Sequence, residues 1–253
     1  MNRTLFLALL LTGLETLHGI EPSDSSQLID CGADRAVLLK GTEAQDGRYA
    51  IGWTIRQRSK DAKPVDWSAW SKQDDDLFAF LDRYETQDPE RPNTPYELNN
   101  CVIDLKQKKM LILPSDWPYF PHKNRGHLDV VWSPVSKDSR YALIQNDARF
   151  STHNLWLIVI DRDDLRQLDI ASRLNRSVSQ FLRKKKPATA DRYGIFYPLH
   201  RTEFKTTRNA SFKASSAEVP FFADIAKSDD PSFTGKVVVH LPDGTVSQVL
   251  GTR

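Results

Sequence analysis

The sequence predicts a mainly β chain of antiparallel meanders with two helical excursions, and three observations carry that reading. First, His127–Ile170 reads as four short strands separated by turn residues. His127–Ser133 stops at Pro134, which cannot donate to a ladder, and Arg140–Gln145 follows the Lys137-Asp138-Ser139 turn. A polar loop over Asn146–Asn154 precedes Leu155–Ile160, and Arg162-Asp163-Asp164 turns the chain into Leu165–Ile170. Second, the run LWLIVI at Leu155–Ile160 is apolar throughout and too short for a typical helix, as expected of a strand covered on both faces. Third, Asp46-Gly47-Arg48-Tyr49-Ala50 recurs as Asp138-Ser139-Arg140-Tyr141-Ala142, so one strand pattern is used more than once.

The chain opens on a different composition. Met1-Asn2-Arg3 supplies a short positive segment, Thr4–Leu14 an apolar core, and Glu15–Gly19 a polar stretch with small residues. Residues 1–19 therefore predict a cleaved signal peptide and an exported protein, periplasmic or secreted. The apolar run is short for a bilayer span, and the mature chain is expected to carry none. No cysteine follows it, which argues against a lipid anchor.

Ser23–Gln27 is a polar linker, Ala36–Lys40 a first strand and Arg48–Arg56 a second. A helix is predicted over Ser71–Glu85: Ser71 is a candidate N-cap, and Leu77, Phe80, Leu81 and Tyr84 follow at helical spacing. Asp74–Asp76 is read as a solvated helix start rather than a metal site. Pro89, Pro92 and Pro95 keep the chain extended until the strands Cys101–Leu105 and Met110–Leu113. Ser115–Gly126 is a loop dense in aromatics and prolines. Beyond the central stretch, Asp169 caps a predicted helix Ile170–Lys185 with Ile170, Leu174, Val178 and Phe181 on one face. The cations Arg183–Lys186 suit its C-terminal end, and Pro187 stops it. Tyr193–Leu199 and Phe204–Phe212 predict a long hairpin, and Ala217–Ile225 a strand with Pro220 at an edge or bulge. Pro242-Asp243-Gly244-Thr245 marks a hairpin between Val237–Leu241 and Val246–Leu250.

Lys and Arg number 35 against 33 Asp and Glu, too balanced to point to nucleic acid or an anionic membrane. The two mature cysteines, Cys31 and Cys101, either bridge in an oxidising compartment or stay as buried thiols. Bridged, they would close a long loop worth about 4 kcal/mol in the chain-entropy model.

Three pieces repeat the pattern of a strand followed by a hairpin: residues 36–113, 127–170 and 193–250, within a single domain 20–253. In the middle piece, Trp132-Ser133-Pro134, Asp138-Ser139-Arg140-Tyr141-Ala142 and Asn154-Leu155-Trp156 resemble WD40-like blades of the TolB type. The resemblance is good over about 44 residues, partial at 46–113 and faint at 217–250. It implies an incomplete, propeller-like stack of antiparallel β-meanders, because three units fall short of the roughly four blades that close a ring. The chain is also similar overall to uncharacterised exported bacterial proteins with such a core, which imply no activity.

No G-x-S-x-G elbow, P-loop or dinucleotide fingerprint occurs. His122 and His127 lack the spacing of a zinc pair, and no cofactor, metal or catalytic residue is expected. Two function classes remain. One is a non-catalytic binding module whose surface is Trp117, Tyr119 and Phe120, joined by Trp67 and Trp70, meeting a protein or carbohydrate of the envelope. The same rings would otherwise plug the open ends of the β-stack. The other is an envelope or extracellular hydrolase with loop-borne carboxylates, Asp116 and Asp129 being nearest.

Overall fold

A computed structural model describes residues 27–70, 80–84, 94–115, 118–119, 127–134, 139–148, 151–162, 164–200, 209–226 and 228–252. The fold is mainly β, in three antiparallel sheets that follow one another along the chain. The first runs β1 (Leu28–Cys31), β2 (Asp34–Leu38), β3 (Tyr49–Gln57), β4 (Tyr96–Asp104) and β5 (Lys109–Leu113) in sequence order. The second is the meander β6 (His127–Trp132), β7 (Ser139–Ala148), β8 (Ser151–Asp161) and β9 (Asp164–Asp169). The third places β12 (Ser216–Asp224), β13 (Phe233–His240) and β14 (Val246–Thr252) side by side, with β10 (Gly194–Phe196) and β11 (Ser211–Phe212) on the far edge of β12. No closed barrel or propeller ring is formed among the described residues.

Strand alternation decides which sheet meets which. Tyr49, Ile51, Trp53 and Ile55 of β3 join Trp156, Ile158 and Ile160 of β8 in a first core. Leu155, Leu157 and Val159 of β8, with Leu143 of β7, point the other way into a second core. There they meet Val219, Phe221 and Val237 of the third sheet. The middle sheet is thus covered on both faces, as the LWLIVI run requires.

A side-chain latch joins the first two sheets. Arg140 is buried and grips Asp46 with both guanidinium nitrogens at 2.7 and 2.6 Å. Its guanidinium lies 5.4 Å from the centre of the Tyr49 ring, and Arg48 covers the same ring at 4.9 Å while pairing with Asp104. Trp132 donates its indole N–H to the Thr42 carbonyl at 2.8 Å. The repeated Asp-x-Arg-Tyr-Ala motif thus works across sheets: the aspartate of its first copy holds the arginine of its second.

The outer face of the first sheet is roofed by the β1–β2 hairpin. Ile29 and Cys31 of β1 and Ala36 and Leu38 of β2 pack with Ala50, Cys101 and Ile103 of β3 and β4. β2 rises onto that face where it crosses β3: Thr54 donates its hydroxyl to the Arg35 carbonyl at 2.5 Å. At Gly52 a Cβ would stand 2.6 Å from the Val37 carbonyl oxygen, so the crossing needs glycine there. β1 has no counterpart in the sequence reading, since its four residues LIDC are too few to show a period.

The helix α1 (Ala171–Lys185) buries Ala171, Leu174, Val178 and Leu182. The helix starts one residue later than predicted, so its N-cap is Ile170, which has no side chain able to cap. Asp169, just before it, accepts from the Ala171 N–H at 2.9 Å, and Arg183–Lys185 lie in the last turn. Of the other predicted helix only residues 80–84 are described, with a helical turn at 80–82. The predicted signal peptide lies outside the described residues. No described helix is long and apolar enough to cross a membrane.

One local expectation is corrected. Within the predicted loop Asn146–Asn154, Asn146–Ala148 and Ser151–Asn154 are strand, paired as the continuation of β7 and β8, with a register irregularity at Asn146/Asp147. Its polar side chains find partners there, which removes the cost of placing them in a ladder. Part of the predicted Tyr193–Leu199/Phe204–Phe212 hairpin lies outside the described residues; of what is described, the Ala210 N–H donates to the Leu199 carbonyl at 2.9 Å. β10 pairs with β12 at 222–224 and β11 with β12 at 217–218. Pro220 sits between those two pairings, where its missing N–H breaks no hydrogen bond on that edge.

Candidate functional site

Three of the aromatic residues singled out by the sequence, Trp67, Trp70 and Tyr119, pack on the first core. Asp66 accepts from the Ser68 N–H at 3.1 Å and so caps the single turn Trp67–Ala69. The Tyr84 hydroxyl, at the end of the short helical piece, accepts from the Asp66 N–H at 2.7 Å. This pins Trp67 between Trp53 and Phe80, with ring centres 6.2 and 5.5 Å away. Phe80, Tyr84 and Tyr96 continue the contact edge to face. Trp67 and Trp70 are partly buried against the first core, and the indole N–H groups of Trp53 and Trp70 are buried without a hydrogen-bond partner.

Tyr119 belongs to the same core, being only 8 % exposed. The Asn100 side chain on β4 holds its backbone in both directions. Asn100 Oδ1 accepts from the Tyr119 N–H at 2.7 Å, and Asn100 Nδ2 donates to the Tyr119 carbonyl at 2.6 Å. Burial pushes the Tyr119 phenol up, and the Asp129 carboxylate adds to that. Trp117 and Phe120 lie outside the described residues. Of the five sequence-derived positions, Trp67, Trp70 and Tyr119 therefore pack onto one core, with Tyr119 turned inward.

Next to Tyr119 the open end of the middle sheet carries amides and hydroxyls that sequence reasoning missed. Ser115 donates to Asn154 Oδ1 at 2.5 Å, with Asn146 Nδ2 at 3.5 Å from the same hydroxyl. On the opposite face, Gln145 Oε1 accepts from the Leu199 N–H at 3.0 Å, and its amide donates to Asp147. Thr152 accepts from the Tyr197 N–H at 3.2 Å, while the Tyr197 hydroxyl donates to Asn175 at 2.8 Å. Burial holds that phenol well above its usual range. Each group fixes a segment arriving from a neighbouring sheet. The available signal was the run of paired polar residues around Asn146–Asn154, which looks like a loop when its partners are unknown.

The carboxylates divide. Asp116 lies outside the described residues, and Asp129 sits on β6 opposite Gln145. Among the described residues, no group of three or more His, Cys, Asp or Glu is placed to hold a metal ion. Cys31 and Cys101 are both free thiols, buried in the cluster under the β1–β2 hairpin. Desolvation raises both, and the charge of Lys108 works in the opposite direction at Cys31. No protein-family model, curated protein or solved structure matches the chain.

Proposed function

We propose that the chain is an exported, non-catalytic binding module, an incomplete propeller-like stack whose aromatic loop meets a protein or carbohydrate partner in the envelope or outside the cell. The grip of Asn100 on Tyr119 carries this reading. With Ser115 tied to Asn154, it anchors the first part of the aromatic loop to rigid strands. A loop held at its root presents side chains without a large ordering cost on binding.

The propeller-like reading is supported by a repeated step between sheets. Tyr49 stacks on Trp132 with ring centres 6.2 Å apart and planes at 28°. Tyr141, its counterpart in the second motif copy, stacks on Phe212 at 6.4 Å and 20°. Trp132 ends β6, the first strand of the second sheet, and Phe212 ends β11, the short strand that precedes β12 in the third. The end faces favour an open stack: the hairpin roofs one, and Glu218 between Lys213 and Lys236 makes the other polar.

Affinity capture from the native envelope, read by mass spectrometry, tests this function with wild type and Trp117→Ala. The expected result is a partner recovered by wild type and lost from a variant with an unchanged melting temperature. If Trp117→Ala loses as much stability as Trp156→Ala, the loop aromatics are core plugs and the binding surface is abandoned. N-terminal sequencing of the envelope form checks export, which a start at Met1 would refute.

A further inference from the structure

The β1–β2 hairpin is attached to the rest of the first sheet by little ladder. Only Val37 and Leu38 of β2 pair with β3, opposite Trp53 and Gly52. The Thr54–Arg35 bond and the Leu39 N–H to the Ile51 carbonyl, at 2.9 Å, add to that. Under the hairpin lie the two cysteines, one on each side of the contact: Cys31 on β1 and Cys101 on β4. They fall within one seven-residue cluster and within electrostatic reach of each other. Cys31 is at the rim, 8 % exposed and near the Lys108 ammonium, whereas Cys101 is fully enclosed.

We propose that Cys31 and Cys101 are the two ends of a redox-closed strap: bridged, they lock the β1–β2 hairpin over the outer face of the first sheet. Reduced, they leave the hairpin held by its short ladder and its apolar underside. The oxidant is a disulfide-bearing thiol oxidant. Cys31, once deprotonated, attacks one oxidant sulfur, and the S–S bond breaks to release one thiolate. Cys101 then attacks Cys31 Sγ of the mixed disulfide and expels the second thiolate. The two protein thiols lose two electrons and two protons; the oxidant disulfide gains both and leaves as two thiols. Cys31 is the entry point because it is the more exposed of the two, whereas Cys101 is fully enclosed.

The experiment uses the full chain, reduced, then incubated with oxidised glutathione and quenched with an alkylating reagent. Peptide mapping is combined with amide hydrogen exchange over β1 and β2. The expected result is an intramolecular link between Cys31 and Cys101 and exchange in the hairpin slowed about tenfold or more. In Cys101→Ala, a glutathione adduct should accumulate on Cys31. Adducts on wild-type Cys31 that never resolve, or thiols that both resist oxidation in the folded chain, would overturn the pairing. A link that leaves hairpin exchange unchanged would overturn the strap.

Discussion

Replacing Arg140 with methionine tests whether the repeated motif holds the first two sheets together. The Arg140 side chain is 8 % exposed and that of Asp46 35 %, so the pair is neither fully buried nor a surface pair. Breaking buried pairs costs about 3–5 kcal/mol and exposed pairs about 0–1, which brackets this site near 2 kcal/mol. Methionine keeps most of the stem's volume, so the loss isolates the guanidinium and its grip on Asp46. Urea unfolding at pH 7 should show a midpoint lower by about 1 M at unchanged m. The pH dependence has a definite sign. Hydrogen bonding to Arg140 holds the Asp46 carboxyl below its usual range. Its contribution is therefore complete above the unfolded value of about 3.9 and is lost as pH falls through the lower folded value. The gap between wild type and Arg140→Met should narrow over that acid window. A double-mutant cycle with Asp46→Asn should give a coupling of about 1–2 kcal/mol. Coupling near zero, or a gap that widens in acid, would refute the latch.

Trp156→Ala and Leu157→Ala remove neighbouring side chains from opposite faces of β8, and each should cost about 2–5 kcal/mol in urea unfolding. One near-neutral result would mean that its face of the middle sheet is not a core. Gly52→Ala places a Cβ 2.6 Å from the Val37 carbonyl and 2.7 Å from Ile103 Cδ1. It should destabilise by about 1–3 kcal/mol, with hydrogen exchange rising first in β1 and β2. Asn100→Ala leaves both backbone groups of Tyr119 without their side-chain partner and should cost about 1–3 kcal/mol. Tyrosine fluorescence and protease cleavage near residue 119 should report the freed loop root; an unchanged digestion pattern would count against the grip.

Local periodicity was enough to divide this chain. The three sheets span 28–113, 127–169 and 194–252, the first reaching beyond the piece read as 36–113 by the strand β1. Apolar alternation and turn residues mark the strands because they act within a few neighbours. The two-sided burial of Leu155–Ile160 was legible for the same reason: only a strand between two layers tolerates six apolar residues in a row. The basic last turn of α1 is equally local. What tertiary structure decided were the partners. Asn146 and Asn154 look like loop residues until Ser115 arrives from another sheet. Tyr119 looks like a surface aromatic until Asn100, on a distant strand, takes hold of its backbone. The second copy of a motif reveals repetition, but only the stacked sheets bring Arg140 to Asp46. Gly52 carries no sign in the sequence that β2 will cross above it. Residue type and spacing fix the conformation and faces of a strand; which face meets which depends on contacts between residues far apart in the chain, and no local pattern encodes those.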